Sequence, residues 1–164
     1  MLILRCTKKL LTRLGVKPNP SPQPSSTKLG DGYADTLNVG RERLVLCVSA
    51  PTLLPVVVPA ARAGSDLSAK LARGLRHTLE TLGAPAAGIE AELNELREVD
   101  IAKTASRVVL GSMNDFQLMA RQIRHQLPMV SLLDLGLELA ETPCSPIDYL
   151  RPMDAALAAL GTSL

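Results

Sequence analysis

A chain of 164 residues, 46% of them apolar, suits one domain with one hydrophobic core. The apolar residues are mostly Leu, Val and Ala, with one Phe, two Tyr and no Trp, so the aromatic platforms that single-strand nucleic-acid binders use are poorly supplied. The formal charge of +2 does not by itself announce a polyanion binder, but residues 1–43 hold eight Lys/Arg against three Asp/Glu and the remainder ten against thirteen, which predicts a basic face.

Cys6, Cys47 and Cys144 are odd in number and widely spaced, with no C-x-x-C pair and no His at zinc-ligand spacing. That pattern predicts free thiols, no metal and a cytoplasmic home, with Cys6 and Cys47 as small buried hydrophobes. The apolar start, Met1 to Cys6, is too short for a secretory signal. Nothing approaches the roughly 18 apolar residues of a membrane span, so no membrane partner is expected.

Leu2 to Cys6 reads as a buried strand, and Thr7 then caps a helix through Leu10, Leu11 and Leu14 that stops at Gly15. Lys17 to Ser26, K-P-N-P-S-P-Q-P-S-S, alternates four prolines and must be an extended loop. Asp31 to Val39 reads as a short helix with Tyr33 and Leu37 inward. Arg43 to Ser49 and Thr52 to Pro59 are β-rich runs separated by Ala50-Pro51 and predict an antiparallel hairpin. Pro55 lacks a ladder donor, which sends the second strand to an edge or a bulge.

Ser65 is the expected cap of a helix reaching Gly83, with Leu67, Leu71, Leu75, Leu79 and Leu82 on one stripe and Gly74 weakening it modestly. After Ala84-Pro85 a second helix buries Ile89, Leu93 and Leu96 and turns an acidic face of Glu90, Glu92, Glu95 and Glu98 to solvent. Glu98 to Thr104 and Ser106 to Leu110 then read as strand segments. Gly111-Ser112 turns into a helix with Ser112 as cap, Asp115 at the third helical position, and Phe116, Met119, Ala120 and Ile123 inward, ending at Pro128. Met129 to Glu141 adds another helix, and Ile147 to Leu160 forms the last. The expected class is α+β: a small mixed or antiparallel sheet with a central hairpin, packed by a helical pair and C-terminal helices. Residues 1–128 form the α+β core and 129–164 a helical segment of the same domain.

The G-x-S-x-G, P-loop, G-x-G-x-x-G and H-E-x-x-H signatures are absent, and no cofactor is implied. His77 and His125 lie in helical stretches as ordinary surface or packing residues. The densest polar stretch is Lys103-Thr104-Ala105-Ser106-Arg107 followed by Gly111-Ser112-Met113-Asn114-Asp115. A glycine turn leading into a helix N-terminus beside Lys103 and Arg107 suits an anion. The plain alternative is that Ser112, Asn114 and Asp115 merely cap a helix.

Three segments carry a resemblance: L-R-C-T-K-K-L near the start, T-L-L-P-V within a longer middle run, and K-T-A-S-R-V-V-L-G-S-M-N-D-F. Together they resemble an uncharacterised bacterial family, one of the numbered domains of unknown function, over about residues 1 to 125. The resemblance implies no activity or cofactor. The family's pattern carries Trp at Gly32 and Asn at Asp35, Ser49 and Ser106, whereas Arg5, Thr7, Lys8, Lys103, Thr104, Arg107, Ser112, Asn114 and Asp115 match it.

The leading expectation is a binding protein for a phosphate-bearing ligand, nucleic acid or nucleotide, with Arg5, Thr7, Lys8, Lys103, Thr104, Arg107, Ser112 and Asn114 as ligand-binding residues. Arg5, Thr7 and Lys8 are expected beside Lys103 to Asp115 in one net-positive cleft at the sheet edge. An alternative is an enzyme on a phosphate-bearing substrate, with Asp115 as base or metal ligand, joined by Asp31 or Asp35. A third is an interaction protein of a bacterial two-gene module, binding a protein partner or itself through the C-terminal helices.

Overall fold

Strand β1, Leu2–Cys6, is followed by helix α1, Lys8–Leu14. The Thr7 hydroxyl accepts the Leu10 N–H, and Gly15 ends the helix in the left-handed region at φ 66°. A computed structural model describes residues 1–161.

The proline-rich segment has no regular structure and runs as a strap around β5, Val99–Lys103, at a sheet edge. The Asn19 backbone N–H donates to the Ile101 carbonyl at 2.7 Å, and its side-chain amide donates to Asp100 at 2.6 Å. At the far end the Ser25 hydroxyl accepts the Ile3 N–H at 2.9 Å and donates to Asp31 at 2.7 Å. Asp100 is the register partner of Ile3, so the strap crosses the face on which Ile3 lies, opposite Leu2 and Leu4, and Ile3 is fully buried.

Asp31 to Val39 is not a helix: Gly32–Val39 is strand β2. It pairs parallel with β1 and antiparallel with β3, Glu42–Ser49. Both faces of this interior strand are covered, so its side chains show no clean polar alternation and the helical spacing of Tyr33 and Leu37 misled. The strand order is β4-β3-β2-β1-β5, with β4 spanning Pro55–Pro59. Thr52 to Leu54 lie in the turn rather than the strand: Ser49 bonds Thr52, and Leu53 adopts φ 58°.

Strand β4 is an edge strand, as Pro55 predicts. Ser49 N–H to Leu54 O and Ala60 N–H to Arg43 O set the phase of the β3–β4 ladder, so residues 55, 57 and 59 point their backbone away from β3. Two of those three are prolines, which leaves Val57 as the sole outward amide of β4. Helix α5, Leu132–Ala140, covers it: a Cβ on Gly136 would lie 3.5 Å from Pro55 O and 3.7 Å from Val57 N. The edge is thereby closed to further strands.

Helix α2, Gly64–Thr81, starts one residue before Ser65 with Ala63 at the cap and no side-chain cap bond. Gly74 is there for contact, since a Cβ would come 2.8 Å from Val56 Cγ1. Helix α3, Ala86–Glu95, buries Ile89 but also Glu92. The acidic face is therefore broken: Glu92 accepts the Lys28 and Leu29 N–H groups at 2.5 and 3.5 Å, while Glu95 pairs with the N-terminal ammonium group and Ser26.

Ser106 to Leu110 is not a strand, and Ser112 is not a cap. Helix α4 runs unbroken over Arg107–Gln126, and the Ser106 hydroxyl accepts the Val109 N–H at 3.2 Å. Val109, Met113, Phe116 and Ala120 recur on its buried stripe, so burial outweighs the strand preference of the V-V pair, and the exposed Gly111 costs only about 1 kcal/mol. The expected last helix is shorter: a 3₁₀ turn, Ser145–Ile147, precedes Asp148 and Tyr149 at φ 56° and 60°, and α6 spans Pro152–Ala159.

Helices α1, α2 and α3 pack on one sheet face through Leu4, Cys6, Val45, Cys47 and Val56. Helices α4 and α5 pack on the other through Tyr33, Leu37, Leu44, Leu46 and Val57. The result is an α+β fold with a five-stranded mixed sheet between two helical layers.

Candidate functional site

Strands β1 and β5 are parallel neighbours, with Cys6 opposite Lys103. Their chains leave the sheet together and then diverge: β1 feeds α1 on one face and β5 feeds α4 on the other. Such a divergence opens a crevice outside the carboxyl ends of the strands, where open parallel sheets bind ligands.

Much of the crevice floor is already bonded. The Arg5 guanidinium donates to Asp31 at 3.0 Å and to the Lys103 carbonyl at 2.9 Å. Thr7 donates its hydroxyl to Asp35 at 2.6 Å. Asp35 also accepts from the Thr36 N–H at 2.7 Å and from the Gln117 amide at 3.0 Å. The Tyr33 hydroxyl accepts the Ser106 N–H at 3.0 Å and so holds the start of α4. Burial, reinforced by the Asp35 charge, pushes the Cys6 thiol up to about 12, which makes it a packing residue rather than a nucleophile.

What stays available is cationic. Lys8, Lys103 and Arg107 are exposed, and none enters an ion pair among the described residues. Thr104 lies between Lys103 and the Ser106 cap. The first-turn N–H groups of the 20-residue α4 add a partial positive charge at the same place.

Fold and sequence part company over the other expected residues. Ser112 is buried within α4. Asn114 is exposed and lies one turn before Gln117. Asp115 sits about 200° around the helix from Gln117, in a groove of 450 Å³ shared with Arg107, Met119 and the segment from Thr142 to Pro146. Asp31 and Asp35 do not join it, being bonded to Arg5 and to Thr7 and Gln117 respectively. Among the described residues no group of three His, Cys, Asp or Glu is placed to hold a metal ion. Cys144 lines the same groove, and burial followed by the Asp115 charge raises its thiol.

Gln117 carried no signal in the sequence, because a glutamine in an amphipathic helix looks like any solvated residue. Tyr33 read only as an inward aromatic. Of Gly32, Asp35, Ser49 and Ser106, Asp35 and Ser106 line the crevice. Gly32 and Ser49 lie behind it: a Cβ on Gly32 would come 3.0 Å from Leu4 Cδ1, and the buried Ser49 hydroxyl donates to the Leu29 carbonyl at 2.5 Å.

No helix among the described residues is long and apolar enough to cross a membrane. No curated protein and no solved structure matches the chain. A family model does, over residues 3–155, which covers both strands of the crevice and both helices that leave it. The chain belongs to the family described as Domain of unknown function (DUF6933).

Proposed function

We propose that the protein binds a phosphate-bearing ligand, a nucleic acid or a nucleotide, in the crevice at the carboxyl ends of β1 and β5. The observation that carries this reading is that Lys8 follows β1, Lys103 ends β5 and Arg107 opens α4, all three exposed and in no ion pair among the described residues, where two neighbouring strands release diverging helices. The carboxylates bonded there are already spent, Asp35 on three hydrogen bonds and Asp31 on Arg5 and Ser25. Cations held near first-turn N–H groups favour a multivalent anion, and their counterions are released when phosphate replaces them.

Lys8 and Arg107 make no side-chain bond that the fold requires, so replacing both by Ala should leave the melting temperature within about 2 °C. The same variant should lose phosphate-ligand affinity in calorimetric titrations with nucleotide and oligonucleotide at about 50 and 200 mM salt. Equal affinity in the variant and the parent protein would refute the proposal.

The enzyme reading has less support, since the groove of Asp115, which Arg107 also lines, holds no second carboxylate among the described residues. Retained turnover of any phosphate-bearing substrate in Asp115→Asn would remove that residue from the chemistry. Self-association through the C-terminal helices is also less favoured, because Leu135, Leu139, Ala156 and Leu157 are spent on the core. Three free thiols support a reducing, cytoplasmic compartment.

A further inference from the structure

The outward face of α4 continues the cationic character of the crevice. At 100° per residue, Arg107, Asn114, Leu118, Arg121 and His125 fall in a stripe about 60° wide, and all five are exposed. Asp115 lies about 80° off Arg107, outside that stripe. Arg107 and Arg121 stand about 21 Å apart along the helix axis.

At its far end the stripe meets the β2–β3 turn. The Arg121 guanidinium donates to the Asn38 carbonyl at 3.1 Å. Arg124 pairs with Glu42 at 2.9 Å, which neutralises the carboxylate beside the turn. Arg41, in the same turn, is exposed and enters no ion pair among the described residues. Cations therefore stand at both ends of α4, Lys103 and Arg107 at its start and Arg121 with Arg41 near its far end.

We infer that α4 docks on double-stranded DNA, with the crevice cations and the Arg41–Arg121 pair each contacting backbone phosphates. The inference rests on the phosphate-binding reading and extends it from a single site to a surface. A span of about 21 Å along a duplex axis takes in roughly six phosphates of one strand at a rise of about 3.4 Å each, far more than a mononucleotide offers. No Phe, Tyr or Trp lies on the stripe: Tyr33 and Phe116 are buried and the exposed Tyr149 precedes α6, so stacking on unpaired bases finds only the His125 imidazole here. A helix about 10–12 Å across fits the B-form major groove, about 12 Å wide, whereas the A-form major groove of duplex RNA is too narrow.

The test is fluorescence anisotropy of the full chain with a short DNA duplex, the matching single strand, an RNA duplex of equal length, and AMP. Five phosphate-contacting cations predict a log–log salt slope near −4.5 for the DNA duplex, and R41A/R121A should reduce it to about −2.7. That variant should bind AMP as the parent protein does, because neither residue lies in the crevice. Since Arg121 also bonds Asn38, R121K separates charge from structure: it should restore most of the duplex affinity lost in R121A, and failure to do so would overturn a phosphate contact.

A duplex bound no more tightly than AMP, or unchanged by R41A/R121A, overturns the inference and leaves the crevice proposal standing. Tighter binding of single strand or of RNA overturns the assignment to DNA. Absence of binding to duplex and AMP alike overturns both.

Discussion

Glu92 shows what a single residue can conceal. Its spacing with Glu90 and Glu95 suggests a wetted acidic face, yet it is 2% exposed and holds the Lys28–Leu29 backbone against α3. Desolvation outweighs those bonds and raises its carboxyl above the ordinary glutamate value. The folded protein then holds this proton more tightly than the unfolded chain does. The stability it contributes is fully present below about pH 4.3 and is lost as pH rises through the higher folded value. Glu92→Gln keeps an acceptor for Lys28 and should flatten that decline, so urea midpoints at pH 5 and pH 7.5 should differ less in the variant than in the parent. Equal differences would show that Glu92 titrates as a solvated acid. The thiols make a second residue-scale case. Cys6 and Cys47 are buried and their thiols raised, whereas Cys144 is half-buried. A thiol reagent should modify Cys144 alone in the native protein, slowly, and all three in denaturant; early modification of Cys6 would contradict the packing described.

Among the elements, α1 was legible from its ends inward, because Thr7 and Gly15 are local signals whose partners lie within one turn. Helix α4 was not. Its V-V-L-G-S start satisfies a strand and a turn locally, and only the buried stripe from Val109 to Ala120 against the sheet settles one continuous helix. By helix propensity Gly74 is a weakness, yet it is a requirement of helix-on-strand contact. Gly74→Ala drives a Cβ to 2.8 and 3.2 Å from the stiff Val56 and Val58 side chains. It should therefore destabilise by about 1–3 kcal/mol despite the better helix propensity of alanine. A rise in the urea midpoint would mean that α2 can shift away from β4 at little cost. The β4 edge makes the complementary point, since Pro55 marked an edge strand from the sequence but the part played by Gly136 in covering that edge depends on a helix about 80 residues away.

For the whole molecule, the helices after Pro128 belong to the packing of the sheet. Leu135, Leu139, Leu157 and Leu160 are all buried, and at roughly 1.5–3 kcal/mol each their loss rivals a total stability of about 5–15 kcal/mol. Truncation after Pro128 should therefore give insoluble or unfolded protein; a soluble monomer with a cooperative melt would show that α5 and α6 are dispensable. The amino-acid sequence by itself determined the fold class, the β3–β4 hairpin, the extended proline-rich loop and the cations Lys8, Lys103 and Arg107, because composition, alternation, proline geometry and charge are properties of local stretches. Tertiary structure alone decided that the helices after the neighbouring strands β1 and β5 diverge to opposite sheet faces. It alone also separated Asp115 and Ser112 from the crevice and brought Tyr33, Asp35 and Gln117 into it. Those outcomes depend on which strands pair and which helix face is buried. They are set by burial summed over residues up to 98 positions apart, as Arg5 and Lys103 are, and no window of local sequence contains that sum.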